Sequence, residues 1–165
     1  MPLQHEPAML VLSRQNLPTL DRTKYASAAG LAQGAYVLAD AAGGAPDVLL
    51  LATGSEVALC VAAYEELTKE GVKARVVSMP CWELFERQSQ EYRDRVLPPA
   101  VTARVSVEQA SNFGWAHYVG NSGAMIGMRT FGASAPLKDV QRKFGFEPDH
   151  IVAAAKEQIA RARGR

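Results

Sequence analysis

The stretch Asp47–Thr53, which reads Asp-Val-Leu-Leu-Leu-Ala-Thr, decides the fold. A continuous apolar run of this length between polar residues is typical of a central parallel strand that is covered on both faces. The segment that follows predicts a helix, because its apolar residues recur at helical spacing and Gly71 suits the end of a helix. Val72–Met79 then supplies a second strand. Strand, helix and strand together predict a βαβ unit within a parallel sheet.

The rest of the chain continues the alternation of strands and helices. We expect Thr53 and Glu56 to form a capping box at the start of the first helix. We read Thr19–Ala29, which has no clear periodicity, as a linker. Further strands are predicted at Met9–Leu12, Gly34–Ala39, Val101–Glu108 and Ala124–Thr130, and helices around Trp82–Phe85 and at Glu86–Leu97, Leu137–Phe144 and Pro148–Ala160. The fold class is therefore a three-layer α/β sandwich with a mostly parallel sheet.

Composition excludes several functional classes. The chain has 165 residues, of which 48% are hydrophobic, and its 18 Lys and Arg residues nearly balance 17 Asp and Glu residues. A net charge of +1 gives no electrostatic footprint for nucleic acid. There is no apolar run long enough for a membrane span and no signal peptide pattern, so we expect a cytoplasmic protein. Cys60 and Cys81 are then expected to be reduced, buried thiols.

Two segments are candidates for anion binding. Thr53, Gly54 and Ser55 lie between a parallel strand and a helix N-terminus, where backbone amides and the helix dipole favour anions. A tight turn with a capping residue also accounts for these three residues. Arg14 follows the predicted strand Met9–Leu12, and its guanidinium suits a phosphate or a carboxylate. A salt bridge that stabilises the loop is an equal alternative for Arg14.

Other polar residues give weaker signals. The three histidines have no ligand partners at metal-site spacing, so no metal site is predicted. His117, in a loop rich in glycine and aromatic residues, is either an acid–base group or a histidine with an ordinary structural role. Glu108 ends a predicted strand and is interpreted as structural. No serine lies in a G-x-S-x-G elbow, which argues against a hydrolase nucleophile.

Several blocks in order resemble the transketolase family, and specifically its C-terminal end. The resemblance extends from about Met9 to about Ala160. The blocks that carry it are Leu12–Pro18 (LSRQNLP), Thr53–Val57 (TGSEV), Val77–Phe85 (VSMPCWELF), Tyr92-Arg93 before Val96–Pro98, Phe131–Pro136 (FGASAP) and Lys143–Phe146 (KFGF).

The resemblance implies a function that composition does not. Transketolases use thiamine diphosphate and a divalent metal such as Mg²⁺ to move a two-carbon ketol unit between sugar phosphates of the pentose phosphate pathway. The family is dimeric, and its active site lies between two other domains. Arg14 matches the family arginine that binds the sugar phosphate, and no catalytic residue can be carried over. No diphosphate and metal motif is present, so no cofactor is expected to bind this chain itself.

The resemblance also implies a division of the chain. Residues 1–20 would be the tail of the pyrimidine-binding domain with its linker, and residues 21–165 the C-terminal domain. We therefore expect a catalytically inactive piece of the enzyme, whose partners are the remaining transketolase domains and which supports the dimer. Phe113 and Trp115 belong either to such a contact or to the core. Two alternatives stay open: a stand-alone module that binds small anions or assists assembly, with a regulatory turn at Thr53–Ser55, and the equivalent domain of another thiamine diphosphate enzyme.

Overall fold

A computed structural model describes residues 5–164, so residues 1–4 and 165 of the predicted domain ranges lie outside the described residues. A five-stranded sheet runs through the domain in the order β1-β3-β2-β4-β5. Three neighbouring pairs are parallel, and only β1 runs antiparallel, against β3. The strands are β1 (Tyr36–Ala39), β2 (Val48–Ala52), β3 (Ala74–Ser78), β4 (Arg104–Ser111) and β5 (Ala124–Met128).

Helices cover both faces of the sheet, which confirms the three-layer α/β prediction. On one face α1 and α6 pack against the sheet and against each other. On the other face the short helices α2, α3 and α4 enclose a second apolar cluster. The helices are α1 (Glu56–Lys69), α2 (Trp82–Glu86), α3 (Gln90–Val96), α4 (Ala116–Val119), α5 (Leu137–Phe144) and α6 (Pro148–Arg163), preceded by a 3₁₀ helix at Ala28–Gln33.

The apolar side chains of β2 point to both faces of the sheet. Val48, Leu50 and Ala52 point into the core beneath α1 and α6. Leu49 and Leu51 point into the opposite core, and all five residues have no exposed surface. Successive side chains of a strand alternate between its faces, so a strand covered on both sides must be apolar at every position. This alternation fixes β2 at the centre of the sheet.

The predicted βαβ unit is confirmed, but its capping box is wrong. Strands β2 and β3 are parallel and are joined by α1, which ends just before Gly71. Ser55, not Thr53, is the N-cap residue, and its side chain makes no capping bond to the backbone. Its hydroxyl instead donates to Oε1 of Glu56 at 2.8 Å. The box fails because Glu56 is the first residue of α1 and turns its carboxylate inward.

The predicted strand at Met9–Leu12 is wrong. This segment forms no strand, and its four apolar side chains are 68–88% exposed. A strand needs a neighbour for its backbone hydrogen bonds. The ladders among the described residues hold only the five strands of the central sheet, and none of them pairs with this segment. These apolar side chains are therefore not buried within this domain.

Several other boundaries differ from the sequence prediction. The helix predicted over Glu86–Leu97 is two helices, because Ser89 interrupts it and caps α3 by accepting a hydrogen bond from the N–H of Tyr92 at 3.2 Å. Strand β4 extends to Ser111, three residues beyond the predicted end. The predicted bounds of α5 are confirmed, α6 runs three residues further than predicted, and no helix among residues 5–164 is long and apolar enough to cross a membrane.

Candidate functional site

The order of the strands places a candidate site at the carboxyl ends of β2 and β4. From β2 the chain passes to β3 on one side of β2, and then crosses to β4 on the other side. In open α/β sheets ligands bind outside the carboxyl ends of the strands at such a reversal of strand order. The turn Thr53–Gly54–Ser55 follows β2 at this edge, and Glu108 lies near the end of β4. Topology thus brings together two features that lie 55 residues apart in the sequence.

The N-terminus of α1 already carries an internal anion. Glu56 is 4% exposed, and its carboxylate accepts a hydrogen bond from the hydroxyl of Ser55 at 2.8 Å. The backbone N–H groups of Glu56 and Gln109 also stabilise the charged form of this carboxylate. Because the N-terminal end of a helix attracts negative charge, the Glu56 carboxylate stands where an external anion would bind. Thr53 and Ser55 are half-buried beside it, and Gly54 is exposed.

Glu56 and Glu108 form an acidic pair at this edge. Burial raises the pKa of Glu56 above its usual value. Burial and, secondarily, the negative charge of Glu56 raise the pKa of Glu108 to about 7. Two carboxyl groups that share a poorly solvated site disfavour each other's ionised form. Glu108 therefore changes its charge near neutral pH, a property that its position at the end of a predicted strand did not reveal.

Gln109 follows Glu108 at the same edge, and the sequence did not single it out. Its side-chain Nε2 is buried and has no hydrogen-bond partner among the described residues. A buried donor without a partner is uncommon and costs about 1–3 kcal/mol. No sequence signal marks it, since the burial of a single side-chain nitrogen depends on tertiary packing, here next to the shift of register between β4 and β5 after Glu108.

Arg14 lies beside this edge with its guanidinium exposed. The structure describes no hydrogen bond or ion pair for the Arg14 side chain within residues 5–164, so the loop-stabilising salt bridge left open above is not formed here. Its neighbour Ser13 lies close to the turn: a Cβ placed on Gly54 would be 4.0 Å from the Ser13 hydroxyl oxygen and 3.7 Å from Oε2 of Glu56. The two candidate segments, Arg14 and the turn, are therefore neighbours.

His117 lies elsewhere, in a shallow cleft between α2, α3 and α4. The cleft has a volume of about 260 Å³ and is lined by Glu86, Arg93, Arg104 and Tyr118 among others. Nε2 of His117 is 3.3 Å from Oε1 of Glu86, whose other oxygen accepts from Arg93 at 3.1 Å. His117 is exposed and has a carboxylate partner. This arrangement fits a structural role, in which the imidazole also packs edge-on against the ring of Tyr118 with the centroids 4.8 Å apart.

The two cysteines and His150 lie in ordinary structural surroundings. Cys60 is fully buried in the core, and burial raises the pKa of its thiol. The expectation of a buried thiol holds for Cys60 but not for Cys81, which is half-buried before α2. Nδ1 of His150 is 2.8 Å from the carbonyl oxygen of Gly145. Within residues 5–164 no group of three or more His, Cys, Asp or Glu side chains could hold a metal ion.

Comparison with known proteins identifies the class to which this fold and edge belong. A family model described as the transketolase-like C-terminal domain matches residues 34–147. The transketolase of Halalkalibacterium halodurans is 55% identical over 151 residues, which are 92% of this chain and 22% of that protein. Transketolase 1 of Escherichia coli is 54% identical over 94% of this chain and 23% of that protein.

A solved structure agrees with these relatives. The transketolase of Pichia stipitis, in complex with sedoheptulose 7-phosphate, superposes with a TM-score of 0.81 at 37% identity and covers 92% of this chain and 21% of that one. The chain therefore belongs to the transketolase family, as part of its C-terminal region. It spans about a fifth of the length of the relatives that it matches. The identity with transketolases also decides against the alternative of another thiamine diphosphate enzyme.

Proposed function

We propose that the chain is the C-terminal portion of a transketolase, which transfers a two-carbon ketol unit between sugar phosphates of the pentose phosphate pathway. The observation that carries this proposal is the identity of 55% over 92% of the chain, confined to about a fifth of the relative. On its own the chain is catalytically inactive and has a structural role that includes support of the dimer. As in bacterial members of the family, we place it in the cytoplasm.

The proposed division at residue 20 is supported by where packing begins. The side chains of Met9–Leu12 are exposed, whereas Leu20 packs against the core and Tyr25 is buried. The hydroxyl of Tyr25 donates to Oε1 of Glu65 on α1 at 2.6 Å, which ties the chain to the domain at this point. Residues 1–20 would then belong to the pyrimidine-binding domain and its linker, and residues 21–165 to the C-terminal domain.

Arg14 is proposed to bind the phosphate of the sugar substrate. Its guanidinium is exposed and has no described partner, so no ion pair must break before a phosphate binds. A planar fork of N–H donors fits two phosphate oxygens at once. Contacts to the phosphate hold the end of the substrate that does not react, and their binding energy can orient the carbonyl that does react.

Thiamine diphosphate and Mg²⁺ are proposed to bind the other domains of the full enzyme. The cofactor supplies the carbanion chemistry, and the described residues of this chain contain no group of three or more His, Cys, Asp or Glu side chains that could hold its metal ion. The proposed partners are those other domains, a second subunit and sugar phosphates. Neither nucleic acid nor a membrane is proposed as a partner.

A chimera tests this proposal. In Escherichia coli transketolase 1, the region that matches this chain is replaced by the chain, and ketol transfer from xylulose 5-phosphate to ribose 5-phosphate is measured. We expect an active chimera, whereas the isolated chain is inactive and gives no heat of binding with thiamine diphosphate and Mg²⁺ despite a cooperative melt. An inactive but folded chimera, or saturable cofactor binding by the isolated chain, would contradict the proposal.

Within the chimera, Arg14→Ala is expected to raise KM for sugar phosphates about 10- to 100-fold, since charge-assisted hydrogen bonds contribute about 1.5–3 kcal/mol. Arg14→Lys should recover part of the loss, because it keeps the charge without the fork. Arg142→Ala, at an exposed arginine of α5, is the matched control. An unchanged KM in Arg14→Ala would remove the proposed role of Arg14.

The second candidate is a small-anion module, with Thr53, Gly54 and Ser55 as a regulatory turn. Its supporting observation is a partly accessible helix N-terminus at the reversal of strand order, and the Glu56 carboxylate opposes it. Titration of the isolated chain with inorganic phosphate separates the two candidates. Saturable binding that Ser55→Ala abolishes and Arg14→Ala does not would favour the module.

A further inference from the structure

Two charges in the cleft beside His117 have no ionic partner. We call the cleft between α2, α3 and α4 the α3 cleft. Glu86, Arg93 and His117 line it and pair with one another. The remaining charged residues of its lining are Asp94 and Arg104, and neither forms an ion pair within residues 5–164. The described residues therefore leave one cation and one anion of the α3 cleft uncompensated.

Arg104 is a cation that neutral groups hold in place. Its side chain donates to four backbone carbonyl oxygens, those of Val101 at 2.8 Å, Tyr118 at 2.6 Å, Pro98 at 2.9 Å and Leu97 at 3.4 Å. These carbonyl groups orient the guanidinium but do not neutralise its charge. Burial lowers the pKa of Arg104, yet an arginine keeps its proton. Four bonds leave at least one of its five N–H groups without an acceptor among the described residues.

Asp94 is an anion close to this cation. It is half-buried on α3, and its Oδ1 accepts a hydrogen bond from Nε2 of Gln90 at 2.7 Å. Its Oδ2 has no described bond within residues 5–164. Leu97, whose carbonyl oxygen accepts from Arg104, follows Asp94 by three residues. Residues at this spacing lie on one face of a helix with their Cβ atoms about 5–6 Å apart. The two charges are thus neighbours that do not bond to each other.

The floor of the α3 cleft is apolar, and the cleft is small. Phe85, Leu97 and Tyr118 line it, and all three are buried. An apolar group that enters the cleft would lose contact with water against these side chains, which favours binding. The volume of about 260 Å³ is below the range of about 300–1,000 Å³ that is typical of sites for drug-sized ligands, so the occupant is about the size of a single amino acid.

We propose that the α3 cleft binds a small zwitterion, an amino acid with an aliphatic side chain, whose carboxylate contacts Arg104 and whose ammonium group contacts Asp94. A zwitterion supplies a partner for both charges at once, whereas a simple anion or cation would leave one of them without a partner. The guanidinium is already oriented, which reduces the entropy cost of forming its contact. This ligand site is additional to the proposed phosphate contact at Arg14, and its occupation does not require ketol transfer.

Titration of the ¹⁵N-labelled chain with L-leucine at neutral pH, followed by NMR, tests the site. Two analogues of L-leucine each lack one charge: 4-methylpentanoate lacks the ammonium group, and 3-methylbutylamine lacks the carboxylate. We expect saturable changes in the amide resonances of residues 90–97 and in the Nε–H resonance of Arg104. L-Leucine should bind at least about ten-fold more tightly than either analogue, since one charge-assisted contact contributes about ten-fold or more in affinity.

A variant of Asp94 tests the contact with the ammonium group. Asp94→Asn removes the charge and keeps the size, so it should weaken binding of L-leucine about ten-fold without weakening that of 4-methylpentanoate. Glu91→Gln is the matched control, because Glu91 is an exposed acid of the same helix outside the lining of the cleft. Replacing Arg104 would remove four hydrogen bonds to the backbone and destabilise the domain. Its contact is therefore tested through 3-methylbutylamine, which needs no change in the protein.

Several results would overturn the proposal. One is the absence of a saturable change at the α3 cleft. Another is an equal affinity for L-leucine and for an analogue that lacks one charge, and a third is an unchanged affinity for L-leucine in Asp94→Asn. The same titration of the chimera extends the test to a full-length protein: binding by the chain but not by the chimera would show that another domain covers the cleft, which also overturns the proposal. Binding by a folded but inactive chimera supports the ligand site and contradicts only the proposed function.

Discussion

Replacing Glu108 by glutamine is expected to remove a loss of stability that the protein undergoes as the pH rises. Burial and the charge of Glu56 raise the pKa of Glu108 in the folded chain to about 7, from an ordinary value of 4.5. The folded state therefore binds this proton more tightly than the unfolded state. By linkage, the associated stability is present below pH 4.5 and is lost as the pH rises through about 7. Glutamine cannot ionise and undergoes no such loss.

The magnitude follows from the shift in pKa. The rise of this pKa from 4.5 to about 7 corresponds to about 3 kcal/mol, since a tenfold change in proton affinity is about 1.4 kcal/mol. Glu108 is half-buried, and water screens part of that cost, so we expect about 1–2 kcal/mol between pH 5 and pH 8. At each pH we compare the free energy of unfolding of Glu108→Gln with that of the natural chain. The variant's advantage should be about 1–2 kcal/mol larger at pH 8 than at pH 5.

Urea unfolding at the two pH values measures the effect. The free energy of unfolding is determined for the natural chain, for Glu108→Gln and for Glu91→Gln, the last being an exposed control in α3. Taking the difference between variant and natural chain at each pH cancels the contributions of titrating groups that do not interact with Glu108, so the measured change belongs to Glu108 together with its coupling to Glu56. The reasoning is refuted if the stability difference between Glu108→Gln and the natural chain is the same at pH 5 and pH 8. It is also refuted if the stability difference for Glu91→Gln changes with pH as much as that for Glu108→Gln.

Two further predictions concern local structure, and both are checked by urea unfolding. Ser89→Ala should cost about 1 kcal/mol, because the Ser89 hydroxyl accepts the N–H of Tyr92 and caps α3; no loss would show that the cap is not needed. Gly114→Ala should cost about 2–4 kcal/mol, and Gly71→Ala only about 1 kcal/mol. Both glycines have positive φ, but only at Gly114 would a Cβ meet Trp82, so equal costs would contradict the steric argument.

The central sheet could be predicted because its signals are local. Each residue of β2 is apolar, a pattern that only a strand buried on both faces requires, and Gly71 suits the end of α1 whatever packs around it. The segment Met9–Leu12 is also a continuous apolar run, but it forms no strand. A periodicity reports that a segment can be buried in a sheet, but it does not identify the chain or domain that supplies the neighbouring strand.

The candidate site was only half accessible from the sequence. The turn Thr53–Gly54–Ser55 and Arg14 stand out by their position after predicted strands. The acidic pair does not, because Glu56 and Glu108 meet only when β2 and β4 pair in parallel. The internal role of Glu56 also required coordinates, since T-x-x-E predicts a cap whose carboxylate faces the turn. Position along the sequence thus indicates which residues lie at the edge, and register determines which of them interact.

The charges at this edge argue for Arg14 over the turn as the phosphate contact. A phosphate bound at Ser55 would stand next to the buried carboxylate of Glu56 and near Glu108, which ionises close to neutral pH. Two unit charges of like sign 4 Å apart repel by about 4 kcal/mol at an effective dielectric constant of 20. That repulsion exceeds the 0.3–1 kcal/mol that a helix N-terminus typically contributes to an anion. Arg14, one residue beyond Ser13, offers a cation for which the structure of residues 5–164 shows no ion pair. A phosphate at this edge is therefore repelled near Ser55 and Glu56 and attracted near Arg14.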